Sequence, residues 1–160
     1  MGDKTLDKDI ELINRVRHGD KEAFRALVNL YKDKSLSLAI SIMNDETLAE
    51  DVLQETFIKV YKKIGGFKFT SKFSTWLYRI VVNTSFNKLK KQKNHVAIEE
   101  LDDALSTAEI KVQYQPLRME DQKRYINLAM ARLKTDEALV LRLFYLCEMS
   151  LKETASISGF

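Results

Sequence analysis

The residues best equipped for chemistry in this chain lie between Gly65 and Lys93, in "GGFKFTSKFSTWLYRIVVNTSFNKLKKQK". Phe67, Phe69, Phe73, Trp76, Tyr78 and Phe86 interleave there with Lys68, Lys72, Arg79 and Lys88. Aromatic faces stack on unpaired bases and cations follow phosphates, so the mixture suits single-stranded or melted nucleic acid. The surrounding charge sharpens the point. Between Glu55 and Glu99 there is no Asp or Glu, and there are ten Lys or Arg. That window carries +10 in a chain of net charge +3, which leaves the rest at −7. A field this lopsided attracts a polyanion. Not every ring can serve. Trp76 and Phe86 suit a helical core, whereas Phe67, Phe69 and Phe73 follow two glycines in a loop, where burial is less automatic.

Beyond the loop, Arg79, Asn83, Asn87 and Lys90 or Lys91 recur about every fourth residue, which places them on one helix face. Asn hydrogen-bonds base edges, and Arg grips phosphate or guanine. Asn is a poor helix former, so two of them are costly filler for a solvent face. Before the loop, Asp51, Gln54, Glu55 and Ile58 fall on one side of another helix, away from Val52 and Val60. An acid–amide–apolar face can dock on a basic helical partner. Composition alone does not separate that from plain solvent exposure.

Other chemistries lack their residues. His18 and His95 stand at a helix end and a polar junction. The one cysteine, Cys147, sits in the apolar run "LRLFYLCEM" and reads as a buried thiol in a reducing compartment. It offers neither a zinc pattern nor an internal disulfide. Gly65-Gly66 lacks the Gly-Lys-Ser/Thr of a phosphate-binding loop. Asp102 and Asp103 read as a solvated linker. The expectation is a protein with no catalytic residues, no metal site and no cofactor, and not an enzyme.

These residues need elements to position them. A chain of 160 residues with 45% hydrophobic and 31% charged content, one Pro and five Gly fits an all-α globular fold. The first ten residues lack the apolar core of a signal peptide. No apolar run reaches the roughly 20 residues of a membrane span, so a cytoplasmic protein without membrane insertion is expected. Ile10, Ile13 and Val16 predict a helix over 7–18, ended by Gly19. Asp20 caps a second helix over 21–43, with Phe24, Leu27, Tyr31, Leu38 and Ile42 inward. Asp45 caps a third over 46–64, with Leu48, Val52, Val60 and Ile64 inward. Ser74 caps a fourth over 75–91, with Leu77, Ile80, Val81 and Thr84 inward. Together these predict a four-helix bundle over residues 1–92. Residues 93–118, acidic and containing Pro116, read as a linker. Residues 119–160 read as a small helical unit. Tyr125, Leu128, Ala129 and Leu133 face inward on its first helix, and Leu139, Leu143 and Leu146 on its second, which Thr135 or Asp136 caps. Ser150 and Glu153 form a capping box for a last helix ending near Gly159.

At "LAEDVLQETFIKVYKKIGGFKFTSKFSTWLYRIVVNTSFNKLKKQ" the chain resembles the second conserved region of bacterial extracytoplasmic-function (ECF) sigma factors, the small group of the sigma-70 family. "DKEAFRALVNLY" matches the start of that domain, and "LKTDEALVLRLFYLCEMSLKETASISGF" resembles the start of the fourth conserved region. The resemblance implies a promoter-specificity subunit that binds core RNA polymerase and melts the −10 element. It places Asp51, Gln54, Glu55 and Phe57, with Ile58 beside them, on the clamp coiled coil of the largest polymerase subunit. It places Lys68, Ser71, Lys72, Phe73 and Ser74 around a flipped base of the non-template strand. Arg79, Asn83, Asn87, Lys88 and Lys91 would then lie along that strand of the promoter DNA. An anti-sigma factor is implied as a further partner. The family's fourth region ends in a helix-turn-helix whose second helix reads the −35 element. The match here stops at Phe160 after the first helix of that pair, so weak or absent −35 reading is expected. Leu143, Leu146 and Ile157 would then lack a partner, and the unit is expected to pack loosely, self-associate or dock on the first domain. Two other readings fit parts of the pattern. A stand-alone nucleic-acid binder needs only the basic loop, and a helical interaction module needs neither the loop aromatics nor the acid gap.

Overall fold

Side-chain caps set three of the helix starts. Asp20 accepts hydrogen bonds from the backbone N–H groups of Glu22 and Ala23 at 2.9 and 3.1 Å. Asp45 accepts from Leu48 at 2.9 Å. Ser150 accepts from Glu153, while the Glu153 carboxylate accepts from the Ser150 N–H at 2.9 Å. Each satisfies backbone donors that the first helical turn leaves unpaired. A computed structural model describes residues 4–95 and 119–159. Its helices are α1 (Lys4–Arg17), α2 (Lys21–Met43), α3 (Glu46–Lys63), α4 (Phe73–His95), α5 (Met119–Ala131), α6 (Thr135–Leu141) and α7 (Leu151–Ser158). A 3-10 turn, Ile64–Gly66, follows α3, and a π-helical turn, Arg142–Leu146, follows α6. No strand occurs among the described residues, so the fold is all-α. The expected linker falls almost wholly outside those residues, and α4 runs on to His95.

α2 packs against α1, α3 and α4, and α3 packs against α4. Ile13, Leu27, Leu38, Ala39, Val52, Leu77 and Val81 have essentially no exposed surface at their shared centre. Burying a side chain of this size contributes about 1.5–3 kcal/mol. The predicted apolar stripes of α1 to α4 hold except at Ile10, which is half-buried outside the core, and Phe24, Leu48 and Ile80 lie at the edge of the core rather than inside it.

Three local expectations are corrected. α4 begins at Phe73, two residues early, because the Trp76 N–H bonds the Lys72 carbonyl and Ser74 is already within the helix. α6 is preceded by Lys134, whose backbone N–H donates to Glu137, so neither Thr135 nor Asp136 is the cap. α5 buries none of its residues, and Tyr125 and Leu128 are exposed together with Met119 and Ile126.

The C-terminal helices dock on the first four. Leu139, Leu143, Cys147, Met149 and Ile157 join the same apolar core as the bundle. α6 lies against α2 and α7 against α4. Leu146, expected inward, is 41% exposed. The π turn explains this. The Cys147 N–H bonds the Arg142 carbonyl five residues back, and the wider turn brings Cys147 rather than Leu146 beneath the bundle. Burial pushes the Cys147 thiol up to about 11, which leaves it protonated at neutral pH.

Because the core is shared, Leu143→Ala should destabilise the first four helices as well as the last three, by about 2–5 kcal/mol. Urea unfolding followed at the single tryptophan, Trp76 in α4, measures it. An unchanged Trp76 midpoint would show that the C-terminal unit folds independently.

Candidate functional site

Two surfaces meet along the edge between α3 and α4. On α3, Asp51, Gln54, Glu55 and Ile58 all face solvent, and Ile58 is 51% exposed. Phe57 is buried at 9% exposure, so it forms floor rather than surface. Beside it runs an open groove of about 710 Å³ between α2 and α3, lined by Phe24, Val28, Leu53, Phe57, Ile58 and Tyr61. Lys32, Glu50, Asp51 and Lys62 rim it. Phe24 and Tyr61 hold its far wall, edge to face at 4.9 Å. The sequence signal for this groove was available: Phe24 and Val28 lie one helical turn apart, yet neither is fully inside the core.

The second surface combines the loop after the 3-10 turn with the outer face of α4. Lys68, Ser71 and Lys72 are exposed in and beside that loop. Arg79, Asn83, Asn87 and Lys91 form one exposed stripe along α4, and Lys88 beside them is half-buried. Ser74 is half-buried. Phe73 is not on this surface. At 2% exposure it is sealed in an aromatic cluster with Tyr31, Phe67 and Trp76. Phe67 is likewise buried, at 5%. Phe73 opens a helix packed on three others, where apolar neighbours are closer than solvent, and Phe67 packs in turn on Phe73 and Trp76, so the loop position kept neither ring outside.

The structure joins residues that the sequence kept apart. Lys88 Nζ on α4 lies 3.1 Å from Asp51 Oδ2 on α3. Lys59 Nζ lies 2.7 Å from Glu55 Oε1 and donates to Thr84 Oγ1 at 3.2 Å. The Lys59 hydrogen bond holds the Glu55 carboxyl below its usual range; partial burial opposes this, while the charges of Lys59, Lys91 and Lys88 add to it. The C-terminal unit also reaches the α4 stripe. Thr75 Oγ1 donates to Glu153 Oε1 at 3.0 Å, and the Arg79 guanidinium donates to Ser156 Oγ. Arg142 bridges back to Ser37 Oγ at 2.6 Å. Sequence reasoning missed Arg17, at the end of α1, whose guanidinium donates to the backbone carbonyls of Ile64 and Phe67 at the loop base. Nothing in the run "RVRH" marks it. Among the described residues no cluster of His, Cys, Asp and Glu is arranged to hold a metal, and no helix is long and apolar enough to cross a membrane.

Residues 27–95 match the family description Sigma-70 region 2. The RNA polymerase sigma-H factor of Pseudomonas aeruginosa is 47% identical over 85 residues, covering 53% of this chain and 44% of that protein. The ECF RNA polymerase sigma factor SigW of Bacillus subtilis is 42% identical over 81 residues, 51% of this chain and 43% of that protein. A solved structure of an engineered region 2 of sigmaE in complex with GTAAAA superposes with a TM-score of 0.53 at 40% identity, covering 60% of this chain and 99% of that one. The chain belongs to the sigma-70 family, in its ECF group. It spans under half the length of the curated sigma relatives it matches. The fold likeness extends further: CnrH, solved in complex with the cytosolic domain of CnrY, covers 96% of this chain with a TM-score of 0.64 at 22% identity. The matched residues run from within α2 to the end of α4, and α1 packs against α2 from outside them.

Glu153, which ties α7 to α4, gives a pH test. Burial pushes its carboxyl up, but hydrogen bonds from Ser150 and Thr75 and the charge of Lys72 outweigh that, so the net shift is downward. A carboxyl with a lowered folded value stabilises above its unfolded value and loses that contribution as pH falls through the folded one. The amide resonances of Ser150 and Glu153 should therefore titrate with a midpoint below the ordinary 4.5, and Glu153→Gln should remove the step. A midpoint at or above the ordinary value would contradict the clasp.

Proposed function

We propose that this protein is a promoter-specificity subunit that works from the two adjoining surfaces of α3 and α4. The α3 face and its apolar groove dock on core RNA polymerase, at the clamp coiled coil of the largest subunit. The loop and the α4 stripe take the unpaired non-template strand of the −10 element. The observation that carries this reading is the solvent-facing row Arg79, Asn83, Asn87 and Lys91, in a segment without a single acid, one helix away from an acidic face over an apolar groove. A plain nucleic-acid binder has no use for the second surface. The likeness to a sigmaE region solved with a short oligonucleotide adds weight to the first.

The chemistry follows from the side chains. Asp51, Gln54 and Glu55 offer acceptors to a basic helix, while Ile58 and the groove bury its apolar side chains. Lys68, Lys72, Lys88 and Lys91 neutralise backbone phosphates, a term that weakens as salt rises. Asn83 and Asn87 offer an acceptor and donors to base edges, each contact worth about 1–3 kcal/mol of discrimination. Extruding a base costs a few kcal/mol, which loop contacts must offset. Phe57 and Phe73 contribute from within, as floor of the groove and anchor of the loop. An anti-sigma partner that blocked polymerase binding would have to cover the same α3 face.

Capture of core polymerase by the tagged protein tests the docking half. The double change Gln54→Lys, Glu55→Lys should abolish capture while helix content stays constant, and undiminished capture would remove the assignment. Asn83→Ala and Asn87→Ala test the other half. Each should weaken binding of the polymerase complex to a −10 single strand by roughly five- to a hundredfold without affecting capture.

A further inference from the structure

We propose that Phe69 is a stacking platform for one unpaired nucleobase of single-stranded DNA, and that Arg17 is the positioning residue that holds it. The proposal rests on reading the loop as a single-strand-binding element. Three aromatic residues enter this loop, and two of them, Phe67 and Phe73, are buried. Phe69 is the one turned outward, 38% exposed. It is turned outward at a cost, because its φ is +55°, in the left-handed region that bulky side chains avoid. A backbone in that state persists only where its surroundings over-determine it, and such residues gather at ligand-binding positions.

The surroundings here are Arg17. Its guanidinium carbon lies 4.8 Å from the centre of the Phe69 ring. The same group donates from Nε to the Ile64 carbonyl at 3.4 Å and from Nη2 to the Phe67 carbonyl. One side chain from α1 therefore grips the backbone on the approach to Phe69 and packs against the Phe69 ring itself. A planar fork with a delocalised charge does both at once, its face on the ring and its edge donors on the carbonyls, a geometry that a compact, strongly hydrated ammonium does not reproduce. The buried Phe67 ring meets Phe69 edge-on at 5.0 Å and completes the support.

Phe67 and Phe73 give their rings wholly to packing, whereas Phe69 packs on Phe67 and Arg17 and keeps part of its surface open. That open part lies, in sequence, between the exposed Lys68 and Lys72, in a stretch where no acid repels phosphate. A rigid aromatic face flanked by cations is what an unstacked base with phosphates on either side requires. Arg17 lies outside the residues that match region 2, so this support comes from the helix that precedes the matched domain.

The probe is a single-stranded deoxyhexanucleotide with 2-aminopurine placed at one position at a time, titrated at low salt into the full chain, alone and with core polymerase. Stacking on a ring quenches that base. Wild type should quench at one position. Phe69→Ala should remove the quench and weaken binding roughly five- to a hundredfold. Phe69→Gly should do the same while suiting the left-handed backbone, which separates the loss from misfolding. Phe69→Tyr should keep both signals. Arg17→Ala should leave the oligomer bound but reduce the position-specific quench at saturation, and Arg17→Lys should fail to restore it. Should Phe69→Gly keep the quench and bind within twofold of wild type while Lys72→Ala weakens binding, the platform is wrong and the loop reading stands. If wild type binds no oligomer in either form, the loop reading itself fails and takes the platform with it.

Discussion

Phe73 has only 2% of its surface exposed, and the rings of Tyr31, Trp76 and Phe67 surround it at 5.4, 5.8 and 5.9 Å. Burial of one such ring contributes about 1.5–3 kcal/mol, and edge-to-face partners add about 0.5–1.5 each. The same cluster holds both ends of the basic loop, Phe67 at its entry and Phe73 at its exit. The segment between them is therefore a short arc with few conformations to lose, and Lys68, Ser71 and Lys72 are presented from fixed ends. Tyr31 extends the cluster into α2, and its hydroxyl donates to the Asp9 carboxylate on α1. Three helices and the loop thus share one anchor. Take the ring away and the register of α4, the shape of the loop and the position of the Asn stripe would all lose their common reference.

The electrostatic arrangement has the opposite character, being shallow and exchangeable. The Lys88–Asp51 pair has side-chain exposures of 25% and 58%, and Lys59–Glu55 has 35% and 50%. Pairs this open contribute about 0–1 kcal/mol and are screened by salt. Lys88 can leave Asp51 for a phosphate, and Asp51 can leave Lys88 for a basic partner, at little cost. A deeply buried pair would have rigidified the edge between α3 and α4, whereas these pairs keep it populated with charge without locking it. The scaffold is apolar and fixed, and the chemistry on it is polar and labile.

Helix existence, the inward stripes and the caps at Asp20, Asp45 and Ser150 were legible because each depends on residues within one or two turns of each other. Exposure of Asn83 and Asn87 was legible for the same reason, since the 3.6-residue period turns them roughly 120–160° around the helix from the buried Val81. What escaped depends on contacts distant in sequence. Phe73 was expected to stay available to a ligand, but Tyr31, some forty residues earlier in the chain, packs against it, and Phe67 is buried in turn against Phe73 and Trp76. Arg17 acquires its role from a loop carbonyl fifty residues away. The π turn at Arg142–Leu146 rotated Cys147 inward and Leu146 outward, a shift that no helical-period template anticipates. α5 reads as amphipathic yet buries nothing among the described residues, because amphipathicity records a capacity for packing and not the presence of a partner.

The docked C-terminal unit bears on how open the α4 stripe is. Its attachment has two parts of unequal strength. Leu139 and Leu143 are fully buried and Ile157 nearly so, which places most of the binding energy in apolar contacts with α2 and α4. The polar contacts, Thr75 to Glu153 and Arg79 to Ser156, sit at the edge. A neutral hydroxyl is a weaker acceptor for a guanidinium than a phosphate, which carries charge of its own and two oxygens that the guanidinium can bind bidentately. Arg79 can therefore exchange Ser156 for a strand without release of the apolar contacts. Asn83, Asn87 and Lys91, further along α4, need no exchange at all. The unit thus restricts one end of the stripe by geometry while leaving the other open, and the energy that holds it comes from the core it completes rather than from the cation it touches.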